Sequence, residues 1–122
     1  MIKSFVRILP AIFWMLLLYY FSDNPTTGVP LYGTSRFFFF KTIHFFSYFI
    51  LGYLLQYGLH KKKSLSLAYG IFYALLDETH QGQTPGRTPR LGDVYLDSFS
   101  LLVAVFSYQT FPKILKKFIL NL

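Results

Sequence analysis

The segment FVRILPAIFWMLLLYYF, residues 5–21, carries one charge, Arg7. A run this long and apolar has few homes other than a membrane, because about 20 helical residues cover the roughly 30 Å hydrocarbon layer. Three further segments approach that length: 38–59, FFFKTIHFFSYFILGYLLQYGL; a third that starts at Ser64; and 92–111. The composition agrees. Of the 122 residues 53% are hydrophobic, 21% aromatic and only 14% charged, against roughly 25% charged in soluble domains. The expected fold is all-α: an integral membrane four-helix bundle in a single domain over 1–122, with helices at about 5–21, 38–59, 64–81 and 92–111. MIKSFVR resembles the basic start of a signal peptide, but SDNP follows the apolar run with no small-x-small cleavage pattern, so the first helix reads as a retained anchor.

Charge distribution orients such a bundle. Lys3, Arg7, Lys61, Lys62, Lys63, Lys113, Lys116 and Lys117, eight of the twelve basic residues, fall on one side of a four-span topology. Basic loops mark the cytoplasmic side, so both termini are expected there. The five acids, Asp23, Asp77, Glu78, Asp93 and Asp97, fall towards the other side. The net charge of +7 is therefore read as topology and not as a nucleic-acid footprint. The absence of cysteine excludes disulfides and thiolate metal sites.

The polar residues pose the functional question. The apolar part of the third segment, 64–76, is about 20 Å long at 1.5 Å per residue, too short to span. The helix must run on through Asp77, Glu78 and His80. The second and fourth segments must likewise include His44, with Lys41, and Asp97, with Asp93. Counted from Leu59, Leu65 and Phe111 as inner markers, His44, Glu78, His80 and Asp97 all lie roughly 20–23 Å up. Lys41, His44, Tyr48 and Gly52 recur at helical spacing. So do Ser66, Gly70, Ala74, Asp77 and Gln81, with His80 beside them, and Asp93, Asp97, Ser100, Ala104 and Ser107. Small residues let membrane helices approach closely, and charges within a membrane normally face the interior and find partners. An enclosed polar site towards the outer face is expected, with Lys41, Arg87 and Arg90 available to the acids. A PG turn carries Arg87 over the helix ends, where a guanidinium matches phosphate or carboxylate.

Two chemistries follow from these residues. One is binding of an anionic or zwitterionic headgroup by Lys41, His44, Tyr48, Asp77, Glu78, His80, Gln81, Arg87, Asp93 and Asp97. The other is a membrane enzyme that modifies such a lipid, with Glu78 and His80 as acid and base. A proton- or ion-coupled carrier of four helices would need an oligomer, and the oligomeric state is unknown. His44, His80, Glu78, Asp93 and Asp97 are of metal-binding type, but no HExxH or comparable spacing is present, so no metal and no cofactor is expected.

Four motifs in order resemble the VanZ-like family of small bacterial membrane proteins. FSDNP supplies Phe21, Ser22 and Pro25 of F-S-x-x-P. KTIHFFSYFILG supplies Lys41, His44, Tyr48, Leu51 and Gly52. LLDETHQGQTPGR supplies Asp77, Glu78, His80, Gln81, Pro85, Gly86 and Arg87, and GDVYLDSFS supplies Asp93. The family pattern has Asn where this chain has Asp97 and Gly where it has Ser100. The resemblance implies a bacterial cytoplasmic-membrane protein tied to the cell envelope. The family is named for low-level resistance to teicoplanin, a lipoglycopeptide that acts on wall precursors outside the membrane. A membrane lipid, a lipid-linked cell-wall precursor or the lipoglycopeptide is the implied partner.

Overall fold

The computed structural model describes residues 2–22, 30–83 and 90–121. Asp23, Pro25, Pro85, Gly86 and Arg87, together with the expected PG turn, lie outside them. Every regular element among the described residues is a helix: α1 (Ile2–Ser22), α2 (Gly33–Gly58), α3 (Lys63–Gln81), α4 (Leu91–Ser107) and α5 (Phe111–Leu120). Two boundaries differ from the sequence expectation. α2 begins at Gly33, ahead of Phe38, so Arg36 is helical. α4 ends at Ser107 instead of reaching Phe111. Pro112 accounts for the second difference. It has no N–H to donate to the preceding turn and tolerates only the first turn of a helix. The chain turns through residues 108–110 and restarts as α5, with Pro112 in its first turn.

α1 to α4 pack on one another, with α2 touching each of the other three. The sense of packing alternates along the chain. Arg7, near the start of α1, donates from Nε and Nη2 to the carbonyl of Tyr57 at the end of α2, at 3.2 and 3.1 Å. Lys63, opening α3, lies over the ring of Phe106 near the end of α4. This end of the protein is basic. The α2–α3 turn here is tight: His60 and Lys61 take the left-handed conformation (φ 53° and 64°), and the Lys61 N–H closes on Gln56 O at 2.8 Å. That N–H satisfies a carbonyl left open by the end of α2.

Ala11, Tyr48, Leu51, Leu55, Ala74 and Leu101 form the apolar core. Close approach depends on glycine at two contacts. A Cβ at Gly52 would lie 2.6 Å from Ala104 Cβ, so α2 and α4 meet almost backbone to backbone. At Gly58 it would lie 2.6 Å from Ile8 Cδ1 and 3.0 Å from Ile8 Cα. Trp14 Nε1 donates to Ser47 O (2.9 Å) and the Tyr73 hydroxyl to Met15 O (2.7 Å), which tie α1 to α2 and α3.

The polarity of the packed helices is inverted relative to a soluble domain. Phe13, Leu16, Phe38, Phe46, Phe72 and Phe99 are exposed, while Gln56, Ser66, Asp97 and Ser100 are buried. Large apolar surfaces of this kind aggregate in water and are at home in hydrocarbon. α1 and α2 are each long and apolar enough to cross a membrane.

Candidate functional site: a buried acidic cluster

The end opposite the basic turn gathers the polar side chains. On α3, residues Ser66, Gly70, Ala74, Asp77, Glu78 and Gln81 are buried, a single stripe at helical spacing. Asp77 is its centre. Its Oδ1 accepts from Ser22 Oγ at 2.5 Å; its Oδ2 accepts from the Tyr48 hydroxyl at 2.9 Å and from Gln81 Nε2 at 3.0 Å. Gln81 Nε2 also reaches Ser22 Oγ at 3.4 Å. One carboxylate therefore joins the last residue of α1, the middle of α2 and the last turns of α3. Tyr48 is 1% exposed and Ser22 3%.

α2 and α4 supply two further pairs. Lys41 Nζ pairs with Asp93 Oδ1, and His44 Nδ1 lies 3.1 Å from Asp97 Oδ1. Lys41, His44 and Tyr48 recur at three and four on α2, as Asp93 and Asp97 do at four on α4, so both helices present these groups along one line. Asp93 sits in the first turn of α4, where the exposed N–H groups favour an acid. Asp97 is within electrostatic reach of Asp77 and Glu78, and Lys41 of Glu78, Asp97 and Arg90. The two pairs and the Asp77 network thus belong to one cluster.

Glu78 is held differently. Its Oε1 accepts the backbone N–H of Arg90 at 2.6 Å, which fixes the entry to α4 against the end of α3. Its Oε2 is buried with no hydrogen-bond partner among the described residues, and so is Oδ2 of Asp97. Buried carboxylate oxygens are normally satisfied, and an orphaned one is costly. Two in one cluster give the site a defined chemistry: buried acceptors without donors among the described residues.

The structure places His80 against α1. It is half-buried and stacks on Tyr19 of α1, with ring centroids 4.2 Å apart and planes 21° apart. Glu78 and His80 are two residues apart on one helix, and such positions do not face each other. Glu78 thus meets the start of α4 and His80 meets α1. Arg87 lies outside the described residues. No group of three or more potential metal ligands is present among the described residues. Ser22 was read from the sequence only as part of a motif; its place in the cluster had one signal, a hydroxyl that closes an otherwise apolar helix.

An apolar exterior, two helices of membrane-crossing length and a polar interior gathered at one end define the class: a helical membrane protein. The chain belongs to the VanZ/LLP1 family, whose model matches residues 5–112. No curated relative and no solved structure matches it.

Proposed function

We propose that α1 to α4 each cross the bacterial cytoplasmic membrane, with both termini inside and the acidic cluster towards the outer face. There the cluster binds the headgroup of an outer-leaflet amphiphile: a lipid, a lipid-linked cell-wall precursor or a lipoglycopeptide. The basic end, with Arg7 and the lysines at 61–63, supports this orientation by the positive-inside bias. The observation that carries the binding role is the pair of unpartnered buried oxygens, Glu78 Oε2 and Asp97 Oδ2. A ligand that completes them brings N–H or O–H donors, such as an amine or hydroxyls. Arg87, in the adjoining segment, takes the anionic part of the same headgroup.

Native mass spectrometry of protein extracted from bacterial membranes tests the proposal. The wild type retains an amphiphile that bears an amine or hydroxyl group. Glu78→Gln, which keeps the oxygen that Arg90 N–H uses, and Arg87→Gln lose it while they insert and fold normally. Equal retention by all three proteins refutes the binding role. A teicoplanin susceptibility assay on the same strains asks whether the site acts in resistance, which falls with the bound amphiphile if it does.

A further inference from the structure

We infer that α5 is an interfacial helix that lies on an anionic lipid leaflet at the basic end of the protein. Three observations carry this. First, among the described residues α5 has no extended packing against α1 to α4. Second, it is two-faced. Phe111, Ile114 and Phe118, at spacings of three and four, are all exposed, as are Lys113 and Lys117 at i and i+4 on another face. A helix with an apolar face and a basic one settles in the plane of the headgroups, apolar side down. Third, among the described residues its charge has no acidic complement nearby. Asp77, Glu78, Asp93 and Asp97, the acids among the described residues, are all drawn into the cluster at the opposite end. At the near end stand Arg7 and, at the α2–α3 turn, exposed Lys61, Lys62 and Lys63.

The junction fits such a placement. α4 ends at Ser107, whose hydroxyl lies 3.2 Å from that of Tyr53 on α2. The turn at 108–110, set by Pro112, frees α5 from the direction of α4 and lets it run across the end of the protein. Phosphates of anionic lipids then meet Lys113 and Lys117, while Phe111, Ile114 and Phe118 enter the acyl boundary. The inference rests on the membrane-spanning reading of α1 to α4 but not on any ligand at the acidic cluster.

The chain has no cysteine, so single Ile114→Cys, Lys117→Cys and Phe46→Cys variants of the full-length protein each carry one spin label. All three native side chains are exposed, so labels are tolerated. The proteins are reconstituted in phosphatidylcholine vesicles with and without phosphatidylglycerol. In phosphatidylglycerol vesicles the label at 114 is more accessible to oxygen than to a water-soluble nickel chelate, and the label at 117 shows the reverse. Lys113→Gln together with Lys117→Gln lowers the docked-to-free ratio about thirtyfold, at about fivefold per lysine. Equal chelate access at both positions overturns the inference, because α5 is then in water. Dipolar broadening that grows with protein density also overturns it, because the face is then covered by a second copy. Docking that ignores both phosphatidylglycerol and the lysines overturns the anionic part. The label at 46 reports separately on α2: oxygen access there with chelate access at 114 sinks the α5 inference alone, whereas chelate access at 46 sinks the spanning topology.

Discussion

Replacement of Asp77 separates hydrogen bonding from charge as the reason for a buried acid at the junction of three helices. Three donors converge on its carboxylate: Ser22 Oγ, the Tyr48 hydroxyl and Gln81 Nε2. Asp77→Leu fills the space and leaves all three without an acceptor. Side-chain hydrogen bonds between helices in a membrane average about 0.6 kcal/mol and reach about 1.7. The two that run between helices, from Ser22 and Tyr48, give a loss of about 1–3 kcal/mol, and the Gln81 bond, within α3, is lost with them. Asp77→Asn behaves differently. Its carbonyl oxygen takes the place of Oδ2 and keeps Tyr48 and Gln81. Its amide nitrogen then faces Ser22 Oγ, which turns from donor to acceptor. Asn is expected to stay within about 1 kcal/mol of the wild type, since the number of bonds is nearly conserved. Tyr48→Phe removes one bond and falls between them, at about 0.6–1.7 kcal/mol. Steric trapping in bicelles measures these differences under reversible conditions. If Asp77→Leu unfolds no more easily than Asp77→Asn, the network does not hold α1, α2 and α3 together and the reasoning fails.

Three other perturbations test the packing. Lys41→Met strands Asp93, whose side chain is 12% exposed, and costs less than the about 3–5 kcal/mol of a fully buried pair; Asp93→Leu in addition recovers most of the loss in the same unfolding assay. Gly52→Ala forces α2 from α4 and costs about 1–3 kcal/mol, whereas Gly92→Ala, with open space at its Cβ and a helical position, stabilises by up to about 1 kcal/mol. Ser66→Ala leaves the buried Gln56 Nε2 without its partner at 2.8 Å and destabilises by about 1 kcal/mol, while Gln56→Leu with Ser66→Ala is neutral or stabilising, because Gln56 Oε1 has no partner even in the wild type. Unfolding free energies of the single and double variants decide each case.

Much of this arrangement is legible in the sequence because period and polarity coincide. Ser66, Gly70, Ala74, Asp77 and Gln81 could be placed on one face of a helix by spacing alone, and that face is the buried one. Partners were less legible. The sequence makes Lys41, Arg87 and Arg90 available to the acids; it is His44 that meets Asp97, because α2 and α4 cross at Gly52 and Ala104 and this register sets His44 opposite Asp97 and Lys41 opposite Asp93. Spacing within a helix does not reveal register between helices. Glu78 and His80 illustrate another limit: adjacency in sequence suggested one chemical unit, and helical geometry sends them to different faces. The break at residues 108–110 has its signals in Gln109, Thr110 and Pro112, but Phe111 beyond the polar pair draws the expected boundary too far along the chain.

Asp97 is one of two positions, with Ser100, at which the sequence differs from what the resemblance implies, and Asn in its place has a testable consequence. An Asn at this position accepts the His44 Nδ1–H with its carbonyl oxygen just as Oδ1 of Asp97 does. The α2–α4 register therefore survives either residue, and Asp97→Asn is expected to unfold within about 1 kcal/mol of the wild type. The second atom differs. Oδ2 of Asp97 is a buried acceptor with no partner among the described residues, and the amide of Asn presents donors in its place. Beside Glu78 Oε2, two acceptors select a headgroup with two donors, and one acceptor beside one donor selects a headgroup that both gives and accepts. Asp97→Asn is thus expected to exchange an amine-bearing amphiphile for a neutral or hydroxyl-bearing one in native mass spectra. An unchanged bound species in a correctly folded Asp97→Asn protein would mean that Oδ2 does not face the ligand, and would move the site to Glu78 and Arg87 alone.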